Sequence, residues 1–260
     1  MVITKHTQNK LHWYHSTHLS IPHAMFTSSG GTSDGPYNSL NLSYGVKDNP
    51  DNVAANRDAI KNVLDLHRLV SLGQVHGDNI LKITDGTKDL EFDGYDGLVT
   101  NIPGTGLLIQ QADCQAVLLY DPTLGVIGAA HCGWRGTTNN ILAKIIEFMQ
   151  AEYSTSPKNL HALISPSLGP CCAQFINHRK ELPTIASQFK GKNNHFDFWE
   201  ISKHQLLNAG LHNRNIATTK ICTSCNHNFF SYRRAVRLGS PTTGRNGTVI
   251  ALPSQATKTI

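Results

Sequence analysis

The sequence predicts a mixed α/β chain, and three observations carry that prediction. Short apolar runs bounded by turn residues recur from residue 69 to residue 165. Two longer segments, 50–66 and 137–150, space their apolar residues for one face of a helix. A strand passes directly into a helix near residue 131, and a second αβ stretch follows between 160 and 209.

Residues 27–37, Thr-Ser-Ser-Gly-Gly-Thr-Ser-Asp-Gly-Pro-Tyr, form a loop by composition. Asn49-Pro50 then opens a helix, with Asp48 or Asn49 as the cap and Pro50 in the first turn. The helix runs to about residue 66 with Val53, Ile60 and Leu64 on its apolar stripe. Arg57 falls on the same stripe. An arginine on an inward face needs a partner, either a buried ion pair or a bound anion. Strands are predicted at 69–75, 80–83, 97–100, 106–109, 116–120 and 125–130. A helix follows over 137–150, with Ile141, Leu142, Ile145, Ile146 and Met149 inward. A strand at 160–165, a turn at Gly169-Pro170 and a helix at 202–209 complete the reading.

The bulk numbers narrow the function classes. A length of 260 residues suits one large domain or two small ones. The net charge of +5, from 23 basic and 18 acidic side chains, is compatible with a small anionic substrate and too weak to argue for nucleic acid. No basic run interleaves with aromatics. No stretch approaches the ~18 apolar residues of a membrane span, and residues 1–20 are polar and His-rich, without the apolar core of a signal peptide. A cytoplasmic protein with six reduced cysteines is expected. Cys171 and Cys172 are adjacent, which argues against a simple disulfide framework. Cys222 and Cys225 make a lone CxxC with no second pair at finger spacing, so a structural role is preferred for them.

Three short segments each offer a metal ligand: His76 in Gln-Val-His-Gly, Cys114 in Ala-Asp-Cys, and His131 in Ala-His-Cys-Gly-Trp-Arg-Gly. Two imidazoles and a thiolate suit zinc, and three protein ligands leave a fourth tetrahedral position for water or substrate. Residues 133–136, Gly-Trp-Arg-Gly, lie between a strand end and a helix start. Unsatisfied N–H groups there, with Arg135 beside them, suit an anion; the plainer reading is that the glycines only make a tight turn. Arg233, Arg234 and Arg245 are further candidates for an anion site.

Taken in order, these motifs resemble the laccase-domain family, also called multicopper polyphenol oxidoreductases. The resemblance rests on the His76, Cys114 and His131 segments, on residues 164–170, and on Phe229-Phe230-Ser231-Tyr232-Arg233-Arg234 with Thr243-Gly244-Arg245. Upstream, residues 35–42 (Gly-Pro-Tyr-Asn-Ser-Leu-Asn-Leu) and Asn56-Arg57 fit as well. Members of that family are understood as purine nucleoside phosphorylases, some with adenosine deaminase activity, and the bacterial peptidoglycan editing factor is one of them. The resemblance covers about residues 26–252. It implies a single catalytic domain, 1–260, with an α/β/β/α layering similar to the catalytic domain of cytotoxic necrotizing factor toxins.

The resemblance also implies that His76, Cys114 and His131 hold the metal, zinc with copper as the alternative. For phosphorolysis of adenosine, inosine or S-methyl-5′-thioadenosine, Arg57, Arg135 and Arg233 are assigned to phosphate or ribose, and Asn41 to substrate. For deamination, Asp113 is the expected proton shuttle beside the metal. Three departures from the family pattern stand out. No arginine precedes Gly30-Gly31, Cys132 replaces the usual alanine, and the glutamate that often follows the Gly-Pro motif is missing from residues 174–177.

Three rival readings follow from the same residues. A copper oxidase needs many histidines around several coppers, but of 14 histidines only His76 and His131 lie in the motif frame. A thiol amidase editing cell-wall precursors would use Cys114 as nucleophile and His131 as base. In a non-enzymatic protein the metal would only tie the fold together.

Overall fold

Alternating apolar residues divide the strands between two stacked sheets. The computed structural model describes residues 2–84 and 88–254. In chain order come β1 (Ile3–Gln8), β2 (Leu11–Ser16), β3 (His23–Phe26), α1 (Pro50–Val63), β4 (Arg68–Gly73), β5 (Ile80–Lys82), β6 (Glu91–Asp93), β7 (Gly97–Thr100), β8 (Thr105–Gln111), β9 (Gln115–Asp121) and β10 (Val126–Cys132). Then follow α2 (Trp134–Thr138), α3 (Ile141–Tyr153), β11 (His161–Ile164), α4 (His178–Glu181), α5 (Phe198–Asn208), β12 (Ile216–Thr218), α6 (Tyr232–Arg237) and β13 (Asn246–Ala251).

One sheet has the order β1-β2-β3-β13-β8-β4-β6, the other β12-β11-β9-β10-β7-β5. Both are mixed: β4 runs parallel to β8 and β6, and β11 to β12, among antiparallel neighbours. Because side chains alternate faces along a strand, each sheet has two apolar sides to cover. Leu107, Ile109 and Ile250 of the first sheet meet Leu118, Ile127 and Leu163 of the second, which makes the central core. The residues between them point outward. Leu108 and Val249 pack under Ile60 of α1, while Val117, Leu119 and Ala130 pack under Ile141, Ile145 and Met149 of α3 and Leu206 of α5. Each such aliphatic side chain contributes about 1.5–3 kcal/mol by burial. The result is the mixed α/β architecture the sequence predicts, with helices outside two sheets.

Local signals explain most of the element boundaries. Asn49 caps α1 by accepting from the Asp51 N–H, and Pro50 occupies the first turn. Asp197 starts α5 earlier than the apolar pattern indicates, because its carboxylate accepts from the N–H groups of Trp199 and Glu200. The expected helix over 137–150 is instead two, since Asn140 adopts φ +55° between α2 and α3. Asparagine tolerates that left-handed conformation better than most residues. The polar, His-rich N-terminus forms the β1–β2 hairpin, and β13 inserts between β3 and β8 at the centre of its sheet. Neither assignment is visible in the local pattern. Among the described residues no helix is long and apolar enough to cross a membrane.

Candidate metal centre and active site

Three strand ends deliver the three expected ligands to one point. His76 lies three residues beyond β4, Cys114 three residues beyond β8, and His131 is the penultimate residue of β10. β4 and β8 are neighbours in one sheet and β10 belongs to the other, so the stacking of the sheets closes the set. The ligating atoms of His76, Cys114 and His131 all lie within 4.8 Å of one another. The two rings stand edge to face with centroids 4.8 Å apart. His76 takes φ +60° and Asp113, just before Cys114, takes φ +90°. Such backbone in non-glycine residues costs energy and is typical of functional turns.

A buried carboxylate organises this centre, and sequence reasoning does not find it. Asp96, fully buried just ahead of β7, accepts from His131 Nδ1 at 2.7 Å. It also accepts from the backbone N–H groups of Val75, His76 and Gly77, while its carbonyl accepts from the His131 N–H. One carboxylate thus fixes both histidine segments and leaves His131 Nε2 as the ring nitrogen available to a metal. This is the arrangement that orients metal-bound histidines. The only sequence hint was an acid next to a short apolar run. Gly133 is required by close approach: a Cβ there would sit 2.9 Å from His76 Cδ2 and 3.2 Å from Cys114 Sγ.

The electrostatics follow from these contacts. Burial pushes the Cys114 thiol up, but the charge of His131 and hydrogen bonds from His131 and His76 outweigh it, leaving the thiol at about 6. Burial pushes His131 down, but the Cys114 thiolate and Asp96 raise it to about 9. The metal-free pair is therefore a thiolate and an imidazolium at neutral pH. Cys132 points to the opposite face of β10, into the core under α3. Burial raises its thiol, and it is not part of the ligand set. Among the described residues, only one other group of ligating side chains converges, and it contains no histidine.

The centre opens into a cavity of about 660 Å³, within the range of small-molecule sites. Phe175 and Phe198, 5.1 Å apart at their centroids, and Trp134 supply aromatic wall. Glu91, Gln74 and Gln110 supply polar wall. Two arginines line it, Arg233 and Arg245. Arg233 donates through one terminal nitrogen to the Cys172 carbonyl, and Arg245 through one to the Thr243 and Gly244 carbonyls. Among the described residues neither has a carboxylate partner.

The fold gives several of the expected substrate contacts partners within the protein. Arg57 does not line the cavity. Its guanidinium donates to the Leu42 carbonyl, to Ser71 Oγ and, at 2.6 Å, to Glu91, and it lies 4.3 Å from the Tyr44 ring. The ion-pair reading of Arg57 holds, because an inward arginine on α1 meets Glu91 at the sheet edge before it reaches the cavity. Arg57→Ala is expected to cost about 3 kcal/mol of stability by stranding Glu91, read as a lowered denaturant midpoint, with apparent phosphate affinity unchanged.

Asn41 is fully buried and saturated. It donates to the Ser43 carbonyl and Asp48, and accepts from the N–H groups of Ser43 and Arg245. It shapes the cavity through Ser43 and Arg245 rather than by contact. Arg135 is exposed, lies 5.0 Å from the Trp134 ring and does not line the cavity. Asp113 is in the wall, but its two oxygens accept from Thr223 Oγ1 and the Arg233 N–H, at 2.7 and 2.6 Å. Its carboxylate ties α6 to the Cys114 loop. Arg234 donates to four carbonyls of residues 223–229 and is structural.

Comparison with known proteins converges on one family. The family model described as multi-copper polyphenol oxidoreductase laccase matches residues 22–253. The purine nucleoside phosphorylase YlmD of Geobacillus stearothermophilus is 34% identical over 232 residues, covering 80% of this chain and 83% of that protein. The purine nucleoside phosphorylase YfiH of Escherichia coli is 32% identical over 235 residues, covering 87% and 91%. The crystal structure of YlmD from Geobacillus stearothermophilus superposes with a TM-score of 0.85 at 30% identity, over 96% of this chain and 99% of that one.

Proposed function

This chain belongs to the multi-copper polyphenol oxidoreductase laccase family, and we propose that it is a zinc-dependent purine nucleoside phosphorylase. The observation that carries the proposal is one cavity holding both the His76, Cys114 and His131 set and two arginines that have no carboxylate partner among the described residues. The names of the relatives supply the reaction class.

In this reading the Arg233 and Arg245 guanidiniums hold phosphate beneath the anomeric carbon of adenosine, inosine or S-methyl-5′-thioadenosine. A phosphate oxygen bonds to that carbon as the carbon–nitrogen bond to the purine breaks. The base leaves with the electron pair and takes up a proton. Positioning and charge stabilisation supply most of such a barrier reduction. Phe175 and Phe198 offer a stacking surface for the purine. The donor set of His76, Cys114 and His131, oriented by Asp96, fits zinc, which when bound supplies Lewis acidity at the departing base. Asp96 keeps its proton-accepting oxygen on His131 Nδ1, so that His131 Nε2 would be the atom to hold the metal.

The test is incubation of the metal-loaded protein with adenosine, with and without phosphate, and separation of the products. Adenine and ribose 1-phosphate are expected only with phosphate; their absence overturns the reading. Inosine in the phosphate-free sample would report adenosine deamination as a second reaction. Arg245→Ala is expected to raise the phosphate KM about 10–100-fold, the worth of a charged hydrogen bond. One observation favours a second function: without metal, Cys114, His131 and Asp96 make a nucleophile, base and orienting carboxylate in sequence. A thiol amidase of this kind gains activity on chelation, whereas the phosphorylase loses it.

A further inference from the structure

The fold supplies the partner that the lone CxxC lacks in sequence. Cys222 and Cys225 meet the adjacent pair Cys171-Cys172, and all four sulfurs lie within 4.8 Å of one another. All four are free thiols. Cys225 Sγ is nearly equidistant from Cys171 Sγ, at 3.5 Å, and Cys172 Sγ, at 3.4 Å. A disulfide joins two sulfurs at about 2.0 Å and leaves others out. A tetrahedral ion with metal–sulfur bonds of about 2.3 Å instead holds four sulfurs about 3.8 Å apart.

We propose that Cys171, Cys172, Cys222 and Cys225 form a second metal centre, a four-thiolate site for one tetrahedral zinc ion, separate from the His76, Cys114 and His131 set.

The surroundings are those of a ligand shell. The Gly169 N–H donates to Cys222 Sγ at 3.3 Å, an outer bond that favours the thiolate. Backbone and arginine hydrogen bonds hold the Cys222–Cys225 loop. Thr223 N–H donates to the Ser167 carbonyl, and the Arg234 guanidinium spans the Thr223 and Ser224 carbonyls. On the other side, the Cys172 and Ala173 N–H groups return to the Gly169 carbonyl, which makes a turn that presents both cysteines. Cys172 is buried while Cys171 and Cys225 are exposed, so an ion has an entry path from solvent. Four thiols this close cannot ionise together without a cation among them, and four sulfurs in tetrahedral reach select zinc over a hard ion. An ion here joins residues more than 50 positions apart along the chain, so it acts as a staple on the fold.

The experiment counts metal in the purified full chain. Wild type is expected to hold about two zinc ions per chain, and Cys114→Ala about one. The Cys114→Ala protein loaded with cobalt is expected to show the intense near-ultraviolet thiolate bands and tetrahedral visible bands of a tetrathiolate. Its four clustered thiols are expected to resist alkylation until a chelator is added. Removal of that ion lowers Tm on the order of 10 °C. A folded Cys114→Ala protein with no bound metal overturns the proposal, as does a Cys–Cys disulfide in the unreduced mass spectrum. Cys222→Ser with Cys225→Ser reduces wild type to one ion. If that variant fails to fold, the Cys114→Ala cobalt spectrum decides alone. None of these readouts depends on nucleoside turnover.

Discussion

Cys114→Ala is expected to remove the metal from the cavity and lower turnover about 10³-fold or more, the scale of a Lewis acid worth several kcal/mol. The thiolate is the only anionic ligand of the set. Without it, two imidazoles hold the ion, one on an exposed residue. Metal content and kcat measured on the same sample check the result; unchanged turnover in a metal-depleted protein would sink the catalytic role of the ion. The metal-free centre adds a pH signature. Cys114 is a thiolate above about 6, and His131 keeps its proton up to about 9. Between those values each ion that binds must displace the His131 proton, so affinity rises about tenfold per pH unit. Calorimetry in buffers of different ionisation enthalpy reads the released proton directly.

Asp96→Asn is expected to weaken metal binding about 10–100-fold, the usual cost of losing the carboxylate behind a histidine ligand. It is also expected to lower stability by about 3 kcal/mol, because a buried charge partner of His131 is lost. The amide fits poorly for a specific reason. The carboxylate accepts from Val75, His76 and Gly77 and from His131 Nδ1, and an NH₂ group can accept from none of them. Burial raises the Asp96 carboxyl, but the His131 ring and the Gly77 and Val75 N–H groups outweigh it and hold it below the ordinary value. A group depressed in the folded state stabilises the fold above its unfolded pKa. That contribution is complete above the usual carboxylate range and is lost as pH falls below it. Acid unfolding of wild type and Asp96→Asn should therefore converge at low pH; parallel curves would count against the role given to Asp96.

Local chemistry alone determined much of this protein. The period of apolar residues placed α1, α3 and the strands β4, β5 and β7 to β11, because burial of alternating or helical faces is written into nearest neighbours. Ligand type marked His76, Cys114 and His131, because few residue sets combine two imidazoles and a thiolate in glycine-flanked turns. What the sequence left open depends on distance through space. Arg57 was equally an ion pair or an anion clamp until the fold put Glu91 at its tip. Asp113 stood beside a ligand in sequence, yet Thr223 and Arg233 claim its oxygens from 110 and 120 residues away. Asp96 carried no motif, and became the organiser of the centre because the start of β7 lies beneath both histidine segments. Cys171-Cys172 and Cys222–Cys225 were two unremarkable pairs until a turn and a loop brought their sulfurs together. A sequence states which chemistry each residue can perform. Which partner each residue meets is settled only when two sheets stack and their loops converge.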